Sequence, residues 1–527
     1  MDEKSQKELD FWQKKIQSEG GKLKNSWYVD LFTNHFKIAS GFYTDKKILD
    51  IGCGPRGTLE WANMASERIG LDHYADYYAQ LAINSHQMQY VSAKAHSIPF
   101  DDNYFDVVSA FNVLEYIHDI SAVLTEIFRV LKPGGIFLLL SDVGLDFQQK
   151  KSITTTTFAQ LVGSDWEIID VDYYEKKDNG IYKCLSQAIR YDQADTTKRG
   201  FIASVLAYKP SLVTQLTSQP KVSIIMPVQH EVAYLWQAIE SVFKQTYTSY
   251  EIIVVDSSSD SIIGQRLKPY QDRIVYLAAD NANHVAHLND AIGQCRGELI
   301  TFLDTNNFWV SNEQLAKQVA DFEADTSLGL LYGGWQVVKG EEQARLNVEP
   351  WQKNPQLNIA TWLQQQTVNL NALMIRRQWL EKVGNFNQEL KIGYDLDLVL
   401  RLSLVGCPAN WLQQIISSDR SELTTVEDKS AILNQFFARA DLPKDIKEME
   451  SKIRYTSLVK VAWEQYYQGK PQGAIAYLAQ SLKFSPYLRV ETICNWIEQF
   501  VNLSRVDNVE FDVDAFSDLE EWKGLVM

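Results

Sequence analysis

The chain has 527 residues, room for about three domains, and its 45% hydrophobic and 22% charged content is ordinary for a folded soluble protein. Lys and Arg number 51 against 67 Asp and Glu, a formal charge of −16, which argues against a nucleic-acid partner or a polybasic membrane anchor. The cysteines Cys53, Cys184, Cys295, Cys407 and Cys494 are scattered, and no pair has metal-ligand spacing. Free thiols in a reducing compartment are the reading of that pattern. The charged start from Met1 to Lys7 lacks a signal peptide's apolar core, and no run approaches the ~18 apolar residues of a spanning helix. A cytoplasmic chain with no transmembrane segment is the expectation.

From the amino end, residues 11–40 set aromatic and charged side chains at helical spacing and are expected to pack over the domain that begins after them. Lys46-Lys-Ile-Leu-Asp50-Ile-Gly52-Cys-Gly54-Pro-Arg-Gly57 reads as a strand entering a glycine turn, with a helical stretch expected from Thr58. The glycine spacing alone fits a dinucleotide fingerprint. Asp50 at the strand end disfavours it, and with it a nicotinamide-dependent oxidoreductase, because a carboxylate there would repel a pyrophosphate. A ligand bearing a cationic amine and a cationic sulfonium suits that acid better. A second strand ends in Asp72, placed for ribose hydroxyls. Then come Ala95-His-Ser-Ile98-Pro-Phe, Asn112-Val-Leu-Glu115-Tyr-Ile-His118, and Leu131-Lys-Pro-Gly-Gly135.

In that order the motifs resemble those of class I S-adenosylmethionine-dependent methyltransferases, over about residues 46–140. The resemblance implies a Rossmann-like α/β domain that binds S-adenosylmethionine. Asp50, Gly52 and Gly54 would line its methionine end, Asp72 its ribose, and Ala95 to Ile98 its adenine, with Asn112 at the floor of the transfer site. Lys94 departs from the pattern, since it stands where an acid often accepts from the adenine amine, and a lysine cannot accept. Glu115 and His118 are candidate bases should the methyl acceptor be a hydroxyl; a surface or capping role is the alternative for His118. Alternating stretches at 166–172 and 199–210 fit a closing hairpin. This first domain runs over 1–209, and residues 210–220, polar and ending in Pro220, form the linker.

Residues 221–440 open on Lys221-Val-Ser-Ile-Ile-Met-Pro227-Val-Gln-His230, an apolar strand, followed by Ala238-Ile-Glu-Ser-Val-Phe, a helix. Further strands end at Asp256 and at Asp304-Thr-Asn306-Asn307, and between them lies the segment with His284, His287, Leu288 and Asn289. Carboxyl strand ends are where open α/β sheets hold ligands. The series continues with Val383-Gly-Asn-Phe-Asn387 and Gly393-Tyr394-Asp395-Leu-Asp397-Leu-Val-Leu-Arg401. Together these resemble family 2 glycosyltransferases of the GT-A type, an α/β nucleotide-diphospho-sugar transferase fold.

That resemblance implies a nucleotide-sugar donor, a glycan or lipid-linked glycan acceptor, and an inverting reaction with Asp395 as base. A helix-capping role is the alternative for Asp395. Pro227, Asp256, Asn289, Asp304 and Asn306 would contact the donor, and Asp304 with Asn306 would hold Mn²⁺ or Mg²⁺. Several positions depart from the family pattern. His230 replaces an asparagine, Leu288 an arginine, Tyr394 an acid, and Asn306, Asn307 and Asn387 three aspartates, so a weakened metal site is expected. Trp309 and Trp335 could stack on sugar or fill the core. His284 and His287 share a helix face but lack an evident third ligand.

Residues 441–527 form a helical annex and acidic tail. The segment 462–486 is similar to one tetratricopeptide hairpin, which cannot bury its own face alone and is expected to pack on the transferase domain. The acidic segment 507–527 is expected to stay solvated. The whole reads as a bifunctional transferase of surface polysaccharide biosynthesis. The alternative is a methyltransferase whose degenerate second domain binds a glycan or nucleotide-sugar without turnover. The sugar, the nucleotide, the methyl acceptor and the oligomeric state stay open at this level.

Overall fold

Two sheets, each with parallel strands at its centre, organise the chain in a computed structural model. It describes residues 3–81, 83–143, 166–175, 185, 190–191, 201–209, 219–228, 233–258, 262–278, 283–338, 346–365, 368–420, 426–507 and 509–526. His230 and most of the 210–220 linker lie outside these residues.

The first sheet comprises β1 (Lys47–Ile51), β2 (Glu67–Asp72), β3 (Gln89–Ser92), β4 (Phe105–Phe111), β5 (Leu131–Val143), β6 (Glu167–Glu175), β7 (Arg190–Tyr191) and β8 (Phe201–Tyr208). Its order is β3-β2-β1-β4-β5-β8-β6-β7. The first five strands run parallel, and β8 inserts antiparallel between β5 and β6, closing the sheet as the hairpin pattern predicts. Ile48, Leu49, Val107, Val108, Leu138 and Leu139 are fully buried. Strands covered on both faces need such continuous apolar runs.

The expected helix from Thr58 does not form. Gly52, Gly54 and Gly57 all take positive φ, and short turns bonded Glu60 N–H to Gly57, Ala62 to Leu59 and Ala65 to Ala62 lead into β2. Thr58 turns inward onto Asp50, and the Glu60 carboxylate accepts the Gln87 and Met88 N–H groups, while Arg56, just before them, pairs with Glu19 and donates to the Lys24 carbonyl.

The second sheet comprises β9 (Val222–Val228), β10 (Tyr250–Asp256), β11 (Val275–Ala278), β12 (Leu299–Phe302), β13 (Leu330–Val337), β14 (Leu346–Val348), β15 (Leu373–Arg376) and β16 (Ala409–Asp419). The order is β11-β10-β9-β12-β15-β13-β14, with β16 alongside β13. β9 to β12 are parallel; β15 runs antiparallel to β12 and β13. The strand order reverses between β9 and β12, which opens a crevice at their carboxyl ends.

At the carboxyl end, helices Glu450–Tyr467, Pro471–Ser481 and Arg489–Asp507 enclose an aromatic core of Trp463, Trp496, Phe500, Phe516 and Trp522. The tail is therefore not solvated: Val513–Ser517 and Glu520–Val526 are helices, and Phe516 and Trp522 are buried. Its acids face water while its aromatics, recurring between them, supply the face that the hairpin lacks. Among the described residues no helix is long and apolar enough to cross a membrane.

Candidate functional sites at the strand ends

In the first domain the glycine turn surrounds a carboxylate cluster. Asp50 is 3% exposed and accepts from the Ser109 and Thr58 hydroxyls, both at 2.6 Å. Burial, and then the charge of Asp72, raise its carboxyl to about 6. Asp72 accepts the Gly54 N–H at 3.0 Å and the Tyr74 N–H at 2.9 Å, which leaves lone pairs on both oxygens. A third acid comes from helix Glu3–Ser18: Glu8, raised by burial and by Asp72, accepts the Trp12 indole N–H at 2.6 Å. The Trp12 ring covers Gly54, where any Cβ would lie 3.1 Å from it.

Among the described ion pairs none engages Asp50, Asp72 or Glu8. Three carboxyls without a cation make a cradle suited to a cationic ligand. Glu8 and Trp12 escape a motif reading, because their aromatic and charged spacing signals only an amphipathic helix.

Ile98 is buried with its N–H on Glu126, and Asn112 leaves β4 in a left-handed conformation (φ +56°) with its N–H on the Leu140 carbonyl. Gly52 sits against Val113 so closely that a Cβ would come within 2.4 Å of it. Glu115 is buried, with the Ser141 hydroxyl 3.4 Å away, whereas His118 is exposed and the cap of helix Ile120–Val130 is Asp119. Lys94 is exposed.

In the second domain the crevice between β9 and β12 gathers the predicted residues unevenly. Pro227 lies in β9, its carbonyl accepting from Thr305. Asp256, 2% exposed, accepts from the Ser258 hydroxyl and N–H on one oxygen and from the Tyr276 hydroxyl at 2.6 Å on the other. Asn289 bonds to the turn at 384–387: its amide both donates to and accepts from the Phe386 backbone, pinning that turn. Trp309 and Trp335 are buried in the core, and His287 is buried against Ser257.

The turn after β12 is built by Asp304, whose carboxylate accepts the Asn306 N–H at 2.8 Å and whose N–H donates to Asn371. Asn307 is buried and its amide oxygen accepts the Arg420 N–H at 2.8 Å. The Arg420 guanidinium, just beyond β16, donates to the Asn306 carbonyl and to the Gln237 amide oxygen, and lies over the rings of Tyr234 and Phe308. Arg420 belongs to none of the sequence motifs; only the fold brings it here.

Asp395 lies in the first turn of helix Tyr394–Leu404, whose N-cap is Gly393, so it does not serve as the cap. Burial lifts the Tyr394 phenol, and the charges of Asp395 and then Asp304 lift it further. Both carboxylates therefore lie within electrostatic reach of one ring. Asp397 pairs with Arg401 at 2.8 Å, and Arg401 donates to the Val383 and Asn385 carbonyls, fixing this helix to the 384–387 turn. The Asn387 amide oxygen accepts the Glu389 N–H.

The turn at 304–307 suits a hard divalent ion poorly. Asp304 is its one carboxylate, Asn307 is committed to Arg420, and a guanidinium lies against it. Among the described residues no three His, Cys, Asp or Glu side chains group closely enough to hold a metal.

Comparison with known proteins divides the chain in the same way. Residues 49–139 match the methyltransferase domain family and residues 223–384 match glycosyl transferase family 2. An uncharacterised glycosyltransferase of Rickettsia typhi is 29% identical over 198 residues, covering 36% of this chain and 62% of that protein. A protein of Escherichia coli, provisionally named colanic acid biosynthesis glycosyl transferase WcaA, is 30% identical over 196 residues, covering 36% of this chain and 67% of its own length. A sterol 24-C-methyltransferase of Aspergillus fumigatus is 34% identical over 105 residues, 18% of this chain and 28% of that protein. The chain spans less than two thirds of the Rickettsia relatives, 62% for Rickettsia typhi and 34% for Rickettsia felis.

Proposed function

Because the chain belongs to glycosyl transferase family 2 and carries a methyltransferase domain ahead of that part, we propose that it is a bifunctional transferase. One half moves a sugar with inversion from a nucleotide-sugar to a glycan or lipid-linked glycan acceptor. The other methylates from S-adenosylmethionine, and the setting is surface polysaccharide biosynthesis.

The observation carrying the glycosyl half is that the charges of Asp395, at the start of helix Tyr394–Leu404, and of Asp304, just past β12, both raise the Tyr394 phenol, so both carboxylates lie within electrostatic reach of it. A donor held at that strand end and a base at that helix start would then serve one reaction. Asp395 takes the acceptor hydroxyl's proton as that oxygen bonds to the anomeric carbon, and the nucleoside diphosphate leaves with the electron pair of the broken bond. Asp395→Asn is expected to lower turnover by about 10²–10⁴ while nucleotide-sugar affinity stays within about twofold. Rate measurements beside calorimetric titration read both, and full turnover in the variant would refute the assignment.

On the methyl side, S-adenosylmethionine supplies a methyl group already activated on a sulfonium. The chain's own task is to hold that cation and align the acceptor. The carboxyls of Asp50, Asp72 and Glu8 support that fit, with Trp12 as an aromatic cover.

A second reading, in which the glycosyl half binds without turnover, draws support from Asn306, Asn307 and Asn387, which stand where the family pattern has aspartates. Donor hydrolysis separates the two: a binding module leaves UDP-sugars and GDP-sugars intact.

A further inference from the structure

The turn that would hold a metal carries an organic cation instead. Arg420 is tied to it twice, through its N–H to the Asn307 amide oxygen at 2.8 Å and through its guanidinium to the Asn306 carbonyl. The same guanidinium donates to Gln237 at 3.0 Å and stacks on Tyr234, with Cζ 4.1 Å from the ring centroid. Tyr234 and Gln237 mark the start of helix Leu235–Phe243, the first helix after β9, whereas Asn306 and Asn307 follow β12. Arg420 thus bridges the two strand ends between which the strand order reverses, the place where a doubly wound sheet receives phosphate.

We infer that Arg420 is the built-in counter-charge for the donor's diphosphate, in a site that works without a divalent metal. The inference rests on the transferase reading and names the group that receives its leaving group. When the anomeric C–O bond breaks, its electron pair goes to the β-phosphate oxygen, and the acceptor's proton goes to Asp395. The developing charge on phosphate then faces a guanidinium held by Asn306, Gln237 and Tyr234 among its partners. Arginine stays charged throughout the working pH range and offers a planar fork to two phosphate oxygens. The amides at 306 and 307 belong to the same design. Carboxylates there would pair with Arg420 and cancel it, and a dication there would face a like charge.

Calorimetric titration of the full chain with UDP, GDP, UMP and GMP, in EDTA and in excess Mn²⁺, tests this. One diphosphate is expected to bind within about twofold equally in both buffers, and about tenfold or more tighter than its monophosphate. Arg420→Gln should erase that preference and leave monophosphate affinity unchanged. Asn306→Asp, a change at a partly exposed turn, should weaken diphosphate binding in EDTA with little change in melting temperature. Diphosphate binding that requires Mn²⁺ overturns the inference and leaves the transferase reading standing. A preference for diphosphate that survives both substitutions does the same. Binding of no nucleotide in either buffer overturns both.

Discussion

At Asp50 the chain keeps a carboxyl buried, with hydroxyl partners, and burial with the charge of Asp72 outweighs those hydrogen bonds and raises it to about 6. Relative to an ordinary value of 3.8, about 1.4 kcal/mol per pH unit makes the cost about 3 kcal/mol. Because the value is raised, this acid destabilises the fold above pH 6, and the effect fades as pH falls toward 4. Asp50→Asn is therefore expected to raise the melting temperature of the ligand-free protein at pH 7.5, with the gain shrinking by pH 5, and to weaken S-adenosylmethionine binding strongly. Melting curves at the two pH values, with calorimetry, check both halves; a variant less stable at pH 7.5 would sink the account. Asp50 itself is legible in the sequence, because an acid at a strand end before a glycine turn has a chemical meaning. Glu8 and Trp12 are not, since their place over the glycine turn is decided by where helix Glu3–Ser18 docks. The same holds for Arg420, far along the chain from Asn306.

Elements carry the site through their ends. Helix Tyr394–Leu404 begins at Gly393, whose φ of +72° is easy for glycine and strained for other residues. A Cβ there would also fall 1.7 Å from Ile432 Cδ1. Gly393→Ala should therefore cost about 1–3 kcal/mol and shift the first helical turn, lowering glycosyl transfer more than nucleotide binding. Urea unfolding together with rate measurements would show this, and unchanged stability would contradict it. Strands read well from the sequence because buried parallel strands are largely apolar runs, as in Ile252 to Val255 and, with Thr301 alone polar, Leu299 to Leu303. Two elements read wrongly for opposite reasons. Around Thr58 the local pattern favours a helix, but tertiary bonds win: Thr58 donates to Asp50, the Glu60 carboxylate accepts the Gln87 and Met88 N–H groups, and the Glu60 carbonyl accepts from Arg68. In the tail the acid count suggests solvation, yet Phe516 and Trp522 fall on the buried side of their helices.

At the scale of the molecule the two halves share a core. Phe42 packs on Trp236 with centroids 5.4 Å apart, and one apolar cluster runs from Phe32 and Tyr43 into Ile224 and Ile225 of β9. Lys46 pairs with Glu240 at 2.7 Å, Arg266 with Asp170 at 3.6 Å, and the Ala39 N–H donates to the Ala233 carbonyl. Gly41 lies against the Gln237 amide that also holds Arg420, so a larger residue there would displace that amide. Burial of this kind is expected to join the halves into one unfolding unit, so that a ligand of either half stabilises both. If the first half takes S-adenosylmethionine as proposed, S-adenosylhomocysteine at about a hundred times its Kd should add about 2.7 kcal/mol to global stability, and amides that exchange only through global opening should slow about a hundredfold. Hydrogen exchange should show that slowing in β9 and β12 as well as in β1 and β4. Trp236→Ala, which opens a cavity worth about 3–5 kcal/mol at the contact, should confine it to the first sheet. Slowing confined to β1 and β4 in the unmodified chain would mean that the halves unfold independently, and the shared cluster would then be packing without linkage.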